Sequence, residues 1–260
     1  MLPKEFKPAN EYRLIRLGSD NDGGYLVEDS SIKKSKALIT LGLGYDWSFE
    51  KAYSQLTKNS IFCYDHTISY SRIKKYCRSI FLSLIFRALK PKFFLKKNFF
   101  KDNFNRMFLF NDYKKFFKDN KQHIQSRIGT GKSGVKLNDI LDSKIQEFPI
   151  FLKVDIEGSE YRILNEILQN QDKFTGIAIE FHDVDLHLNT ITNFIKNLKL
   201  KLVHIHPQNP AFVADNNIPT QIELTFAKNP EILNQEPRIP HSLDQRANPD
   251  FKEIELFFSN

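Results

Sequence analysis

ALITLGLGYDWSFEKAYSQLTKNSIFCYD, residues 37–65, decides the fold. The apolar run ALITL at 37–41 reads as a strand, Gly42-Leu43-Gly44 ends it, and the spacing predicts a helix from Trp47 to Lys58. A second short strand, SIFCY at 60–64, runs into Asp65. Strand, glycine turn, helix and strand together open a doubly wound α/β sheet, whose ligands sit beyond the carboxyl ends of the strands. Asp65 follows the glycines by about twenty residues, the spacing at which such folds set an acid against a ribose. Trp47 occupies the place of the third glycine of GxGxxG, which disfavours a nicotinamide-type dinucleotide. The turn is therefore expected to seat a different nucleoside-bearing cofactor.

The same alternation continues outward. Further strands are expected at HIQSRI (123–128), PIFLKVDI (149–156), TGIAIEFH (175–182), KLVHIH (201–206) and IPTQIELTFAKN (218–229), the last returning as a hairpin on 201–206. Helices are expected at 137–141, from Ser159 through the stripe Tyr161, Leu164 and Leu168, and at 185–198. PIFLKVDI is apolar without alternation, as a strand covered on both faces is. GTGKSG at 129–134 is no phosphate-binding P-loop, because that pattern needs glycine where Ser126 stands and no long apolar helix follows; a flexible loop is expected.

The chain of 260 residues suits one domain, 1–260, interrupted by an insert. Hydrophobic residues at 41% and charged residues at 27% exclude wholesale disorder. Cys63 and Cys77 fit neither a disulfide framework nor a CxxC pair. The N-terminal MLPKEFKPAN has no apolar core of a signal peptide, so a cytoplasmic protein is expected. The net charge of +7 is concentrated: Tyr70 to Lys121 holds eleven Lys, four Arg and three Asp, together with eleven of the 24 Phe. This reads as a basic, aromatic insert of two or three helices broken near Pro91, set in an acidic remainder.

Candidate chemistry gathers at the strand ends. Asp155 and Glu157, two apart, are expected to face the same side of the sheet, where buried carboxylates need a cation, a proton or hydrogen bonds. Glu180, His182 and Asp183 repeat the arrangement on the next strand, and His204 and His206 on the one after. Such a cluster suits either a general base titrating near neutrality or a divalent metal held by Asp, Glu and His. In the alternative reading Glu157 caps the following helix and Glu160 serves its dipole.

LKVDIEGSEYRIL (152–164), IEFH (179–182), DGGY (22–25), HIHPQN (204–209) and IELTF (222–226) resemble the FkbM-type family of S-adenosylmethionine-dependent methyltransferases over roughly 16–65 and 125–258, skipping the basic insert. The resemblance implies a Rossmann-like class I methyltransferase fold, a mostly parallel seven-stranded sheet whose last strand is antiparallel. It also implies methyl transfer to a hydroxyl oxygen. By that resemblance Gly42 and Gly44 line the methionine portion of S-adenosylmethionine, Asp65 binds the ribose, and Asp155 and Glu157 border the cofactor. Thr40 departs from the acid usual two residues before the first glycine, and Asp22 is the expected substitute.

An alcohol becomes a competent nucleophile as its proton is drawn off, so His182 is the first candidate base and His206 the second, with Asp155 and Glu180 beside them. Glu157, Glu180 and Asp183 are candidate ligands of Mg or Mn. The cations of the insert point to a phosphate-bearing acceptor, such as a nucleotide-linked sugar or a growing surface glycan, or to an anionic membrane surface. Two competing classes remain open: a nucleic-acid-binding protein using the Lys/Phe insert, and a metal-dependent glycosyltransferase using the paired acids. Carboxylates at the strand ends would repel phosphates, which disfavours nucleic acid.

Overall fold

Seven strands form one sheet: β1 (Ala37–Leu41), β2 (Ser60–Tyr64), β3 (Lys121–Ile124), β4 (Ile150–Val154), β5 (Phe174–Phe181), β6 (Lys201–Pro207) and β7 (Ile222–Ala227), in the spatial order β6-β7-β5-β4-β1-β2-β3. The molecule is described by a computed structural model over residues 1–88, 103–104, 106–129 and 134–259. All pairings from β5 to β3 are parallel, whereas β7 lies antiparallel between β5 and β6. This is the sheet expected from the sequence, including the hairpin return of the last strand.

β1, β4 and β5 are buried at every position. Their lack of alternation has a simple cause, since helices cover both faces and each side chain meets a core. One face packs Ile39, Leu152, Ile179 and Leu224 against Leu164, Ile167, Ile191 and Phe194 of the helices α5 (Leu164–Gln169) and α6 (Val184–Asn197). The other packs Leu38, Ile61 and Phe151 against Phe49 and Tyr53 of α1 (Ser48–Leu56). A hairpin of Leu14–Leu17 and Tyr25–Glu28 lies over the β5–β7 side, where Thr225 Oγ1 donates to Leu26 O at 2.8 Å. This hairpin carries DGGY to the carboxyl ends of the central strands.

Two expectations need correction. The strand predicted at 123–128 breaks, because Arg127–Ile128 leaves β3 to pair with Gly134–Val135. The helix predicted from Ser159 begins as a 3₁₀ turn, Glu160–Arg162, before α5; the Glu160 side chain is turned back into the preceding loop, onto the amides of Ile156 and Gly158. The described residues of the basic segment include the helices α2 (Tyr70–Ala88) and α3 (Leu109–Phe116). Pro91 and most of the GTGKSG loop lie outside the described residues. α2 starts at the strand ends, with the Arg72 guanidinium on Thr67 O and Tyr76 stacked on Tyr45 at 4.4 Å. Tyr113 and Phe117 at the α3 end pack on Trp47, whose Nε1 donates to Asp112 at 2.8 Å.

Candidate active site

The glycine turn is held by an acid of the neighbouring strand. Asp65 Oδ2 accepts from the amides of Leu43 (3.0 Å) and Gly44 (2.8 Å), while Oδ1 accepts from the amide and hydroxyl of Thr67, both at 2.6 Å. Burial alone would raise this carboxyl, but the four hydrogen bonds outweigh it and hold its pKa below the usual value. Gly42 sits at φ +86°, where an added Cβ would lie 1.6 Å from Asp155 O, so only glycine lets β1 and the end of β4 approach so closely. A Cβ at Gly44 would meet only open space. That space is a cavity of about 430 Å³ at the carboxyl ends of β1, β2 and β4, within the range of small-molecule sites. Asp22, Gly42, Gly44, Asp65, Asp155 and Glu157 all line it, as do Lys153 and Arg127.

Thr40 does not face this cavity. Its hydroxyl donates to Glu50 Oε1 at 2.7 Å inside the core, where burial raises the Glu50 pKa. Lys153, absent from the sequence expectations, is 5% exposed and rests over the rings of Tyr25 (4.9 Å) and Phe49 (5.9 Å). Burial works against its charge, yet Asp155, Glu50 and Glu180 more than compensate and hold its pKa above the ordinary lysine value. The acids at the strand ends are thus matched by a fixed internal cation, 4.0 Å from Asp155 Oδ2.

Beside the cavity stands His182, just past β5 and enclosed by carboxylates. Its Nδ1 is 3.2 Å from Glu160 Oε1, and its Nε2 is 3.4 Å from both Glu157 Oε2 and Glu180 Oε1. Burial opposes the imidazolium, but the Glu160 hydrogen bond and the charges of Glu180, Glu160 and Asp155 prevail, and the pKa is pushed up to about 9. This corrects the expectation of a base titrating near neutrality: in the free protein His182 is a cation at pH 7. Glu160, fully buried, accepts from the amides of Ile156 (3.1 Å) and Gly158 (3.2 Å). Glu157, at φ +53°, projects outward with its side chain 85% exposed. The two glutamates therefore exchange the roles of the capping reading: Glu160 holds the turn and Glu157 reaches the ligand side.

Glu180 pairs directly across the antiparallel ladder with Glu223, and Gln208 Nε2 bridges them at 3.4 and 2.6 Å. Burial, reinforced by Asp155, pushes the Glu180 pKa well up; burial does the same to Glu223. The Tyr25 hydroxyl lies 3.3 Å from both Asp155 Oδ2 and Glu180 Oε2. Its single proton is shared between the two carboxylates. Tyr25, Gln208 and Glu223 were not singled out in the sequence, although Tyr25 closes DGGY and Glu223 follows Ile222 in IELTF.

Asp155, Glu157 and His182 each place a ligand atom within 4.8 Å of the others, a spacing that one divalent cation could bridge. This differs from the expected Glu157, Glu180 and Asp183: Asp183, at φ +50° at the start of α6, is not among the three, and Glu180 is engaged with Tyr25 and Gln208. His206 is not brought to this site. It packs with His204 around Asp244, at 3.6 and 2.8 Å, and burial lowers its pKa to about 4. The pair fastens the C-terminal segment to β6, away from both cavities described here.

A second cavity, also about 430 Å³, opens between Glu157, His182, Asp183, Phe212, Thr220 and Gln221. It shares Glu157 with the first. Thr220 N donates to Phe212 O at 2.9 Å, which fixes the loop that leaves the Phe212 ring exposed.

Residues 86–202 match the model of the methyltransferase FkbM domain. S-adenosylmethionine is the methyl donor that this match implies, and the first cavity has the acids, glycine turn and open space at Gly44 to receive it. The match runs from α2 to the start of β6, so it takes in part of the basic segment that the sequence resemblance passed over. Among solved structures, the METTL16 MTase domain is similar at 10% identity and TM-score 0.40, over 76% of this chain and 64% of that one. A chain of the fibrillarin/Nop5p complex is similar at 8% identity and TM-score 0.40, over 75% and 73%. The precorrin-6y C5,15-methyltransferase from Geobacter metallireducens GS-15 follows at 12% identity and TM-score 0.36, over 76% and 85%. No curated protein matches the chain. The fold of the chain rests on its own strand order. Among its described residues no helix is long and apolar enough to cross a membrane.

Proposed function

We propose that the protein transfers the methyl group of S-adenosylmethionine to a hydroxyl oxygen of a sugar, carried on a nucleotide or on a surface polysaccharide precursor. The observation that carries this reading is the meeting of two cavities at Glu157, with His182 on the wall of the second. The first is the donor site. Asp65 organises the glycine turn there, and a ribose contact exchanges one of its four present hydrogen bonds. Asp22 takes up the role left by Thr40, and Lys153 offers its charge to the donor's carboxylate. The bound cofactor supplies an electrophilic methyl on a sulfonium sulfur.

The second cavity is the acceptor site. Its carboxylates accept hydrogen bonds from several hydroxyls, and the exposed Phe212 ring offers an apolar face, a combination suited to a polyhydroxylated ring. His182 Nε2 becomes a base once its proton has left, and a second cation in the adjoining cavity disfavours the imidazolium. Neutral His182, oriented by Glu160 at Nδ1, then takes the hydroxyl proton. Closely held geometry supplies most of the remaining acceleration.

Calorimetric titration with S-adenosylmethionine, followed by transfer of labelled methyl to a panel of nucleotide sugars and cell-envelope glycans, tests the reading. Saturable donor binding and label on a sugar hydroxyl are expected. Hydrolysis of a nucleotide sugar without any methyl donor would favour a glycosyltransferase instead.

A further inference from the structure

α2 buries one stripe and leaves another exposed among the described residues. Ile73, Cys77 and Ile80 face the core, whereas Lys74, Arg78, Phe81, Leu82 and Ile85 fall within an arc of about 100° on a different side. Along that arc the character changes: cations come first, then apolar side chains, with Phe81 at 49%, Leu82 at 53% and Ile85 at 43% exposure. Phe104 (56%) and Phe108 (48%), leading into α3, add two more exposed rings, and Arg106, Lys114, Lys115 and Lys118 are exposed beside them. The sequence has no Asp or Glu between Tyr70 and Lys101. Asp112 is the acid of α3, and it is bound by Trp47 and Lys51.

We propose that this face binds an anionic lipid bilayer. Large apolar side chains are costly to leave in water, and a contiguous group of them rimmed by cations complements a surface that is apolar below a negatively charged headgroup layer. The helix lies in the interface rather than crossing it, since it is too polar to span. Charge alone would suit a nucleic acid equally, but Leu82 and Ile85 have no ring on which a base could stack, so the exposed stripe favours lipid. Tyr76 of the same helix stacks on Tyr45, which lines the donor cavity. At 1.5 Å per residue the apolar end lies about 14 Å further along the helix axis, so binding holds the cavity mouth near the membrane.

Co-sedimentation of the full chain with phosphatidylcholine vesicles, with and without 30% (about one lipid in three) phosphatidylserine, tests this surface. Binding to the anionic vesicles is expected, with little to phosphatidylcholine alone and a marked loss at high salt. Leu82→Ser with Ile85→Ser should weaken the partition at least about tenfold, and Lys74→Glu with Arg78→Glu should remove its salt-sensitive part. These side chains are exposed, so circular dichroism and the melting temperature should stay at the wild-type values. Equal partition of wild type and either pair overturns the proposal, as does equal binding to neutral and anionic vesicles. Salt-sensitive binding of a labelled single-stranded oligonucleotide without vesicle binding also overturns it, and assigns the face to nucleic acid.

Discussion

His182 ties protein stability to pH in a window that its surroundings define. Its pKa stands at about 9 against 6.5 for an ordinary histidine. At about 1.4 kcal/mol per unit, the difference corresponds to about 3 kcal/mol of stabilisation of the imidazolium form. A group whose folded pKa is raised contributes fully below its unfolded pKa and loses that contribution as pH rises through the folded one. The stabilisation is therefore complete below pH 6.5 and gone above about 9. Burial raises the pKa of Glu180 and Glu223, which adds a trend of the same sign, so the histidine is isolated by difference. Urea unfolding of wild type and His182→Gln should give a gap that shrinks by about 3 kcal/mol between pH 6 and pH 9.5. Side-chain NMR should place the imidazole midpoint near the raised value. A gap independent of pH, or a midpoint at or below 7, would refute the enclosure of His182 by Glu157, Glu160 and Glu180.

Other outcomes follow from the same contacts. Gly42→Ala forces a left-handed residue onto the Asp155 carbonyl and should cost more than about 4 kcal/mol or prevent folding; a loss below about 1 kcal/mol in a denaturant midpoint would contradict the close approach of β1 and β4. Asp244→Asn removes the anion between His204 and His206 and should cost about 1–3 kcal/mol at pH 7. The Asp244 pKa is lowered, so that difference should shrink as pH falls below the ordinary aspartate value, read from unfolding curves at pH 7 and pH 3.5, a step of about half a unit below that value. EDTA should leave methyl transfer unchanged at pH 7, because His182 takes the hydroxyl proton without a metal; a loss of more than about tenfold restored by Mg²⁺ or Mn²⁺ would put a cation on Asp155, Glu157 and His182.

Local rules carried the strands and helices a long way. The run ALITL followed by GLG, the unbroken apolar stretch before Asp155 and the hairpin return of IELTF are each written in a few neighbouring residues, and the sheet follows from their alternation. The boundary errors at 123–128 and at Ser159 arose where a specific pairing intervened: Gly134–Val135 took Arg127–Ile128, and the Glu160 carboxylate took the amides of Ile156 and Gly158. Period and propensity hold no information about either.

The strand ends show the same division. From the order of its residues alone, the chain determined that Asp65, Asp155, Glu157, Glu180 and His182 would gather at one rim, because parallel strands end together and side-chain alternation fixes which positions share a face. Tertiary structure decided what each of them is. It set Lys153 under two aromatic rings, walled His182 with three glutamates so that it carries a proton, paired Glu180 with Glu223, and sent His206 to Asp244. Charge state depends on burial and on neighbours brought from as far as 155 residues away, as Tyr25 is to Glu180, and these become defined only when the chain has closed.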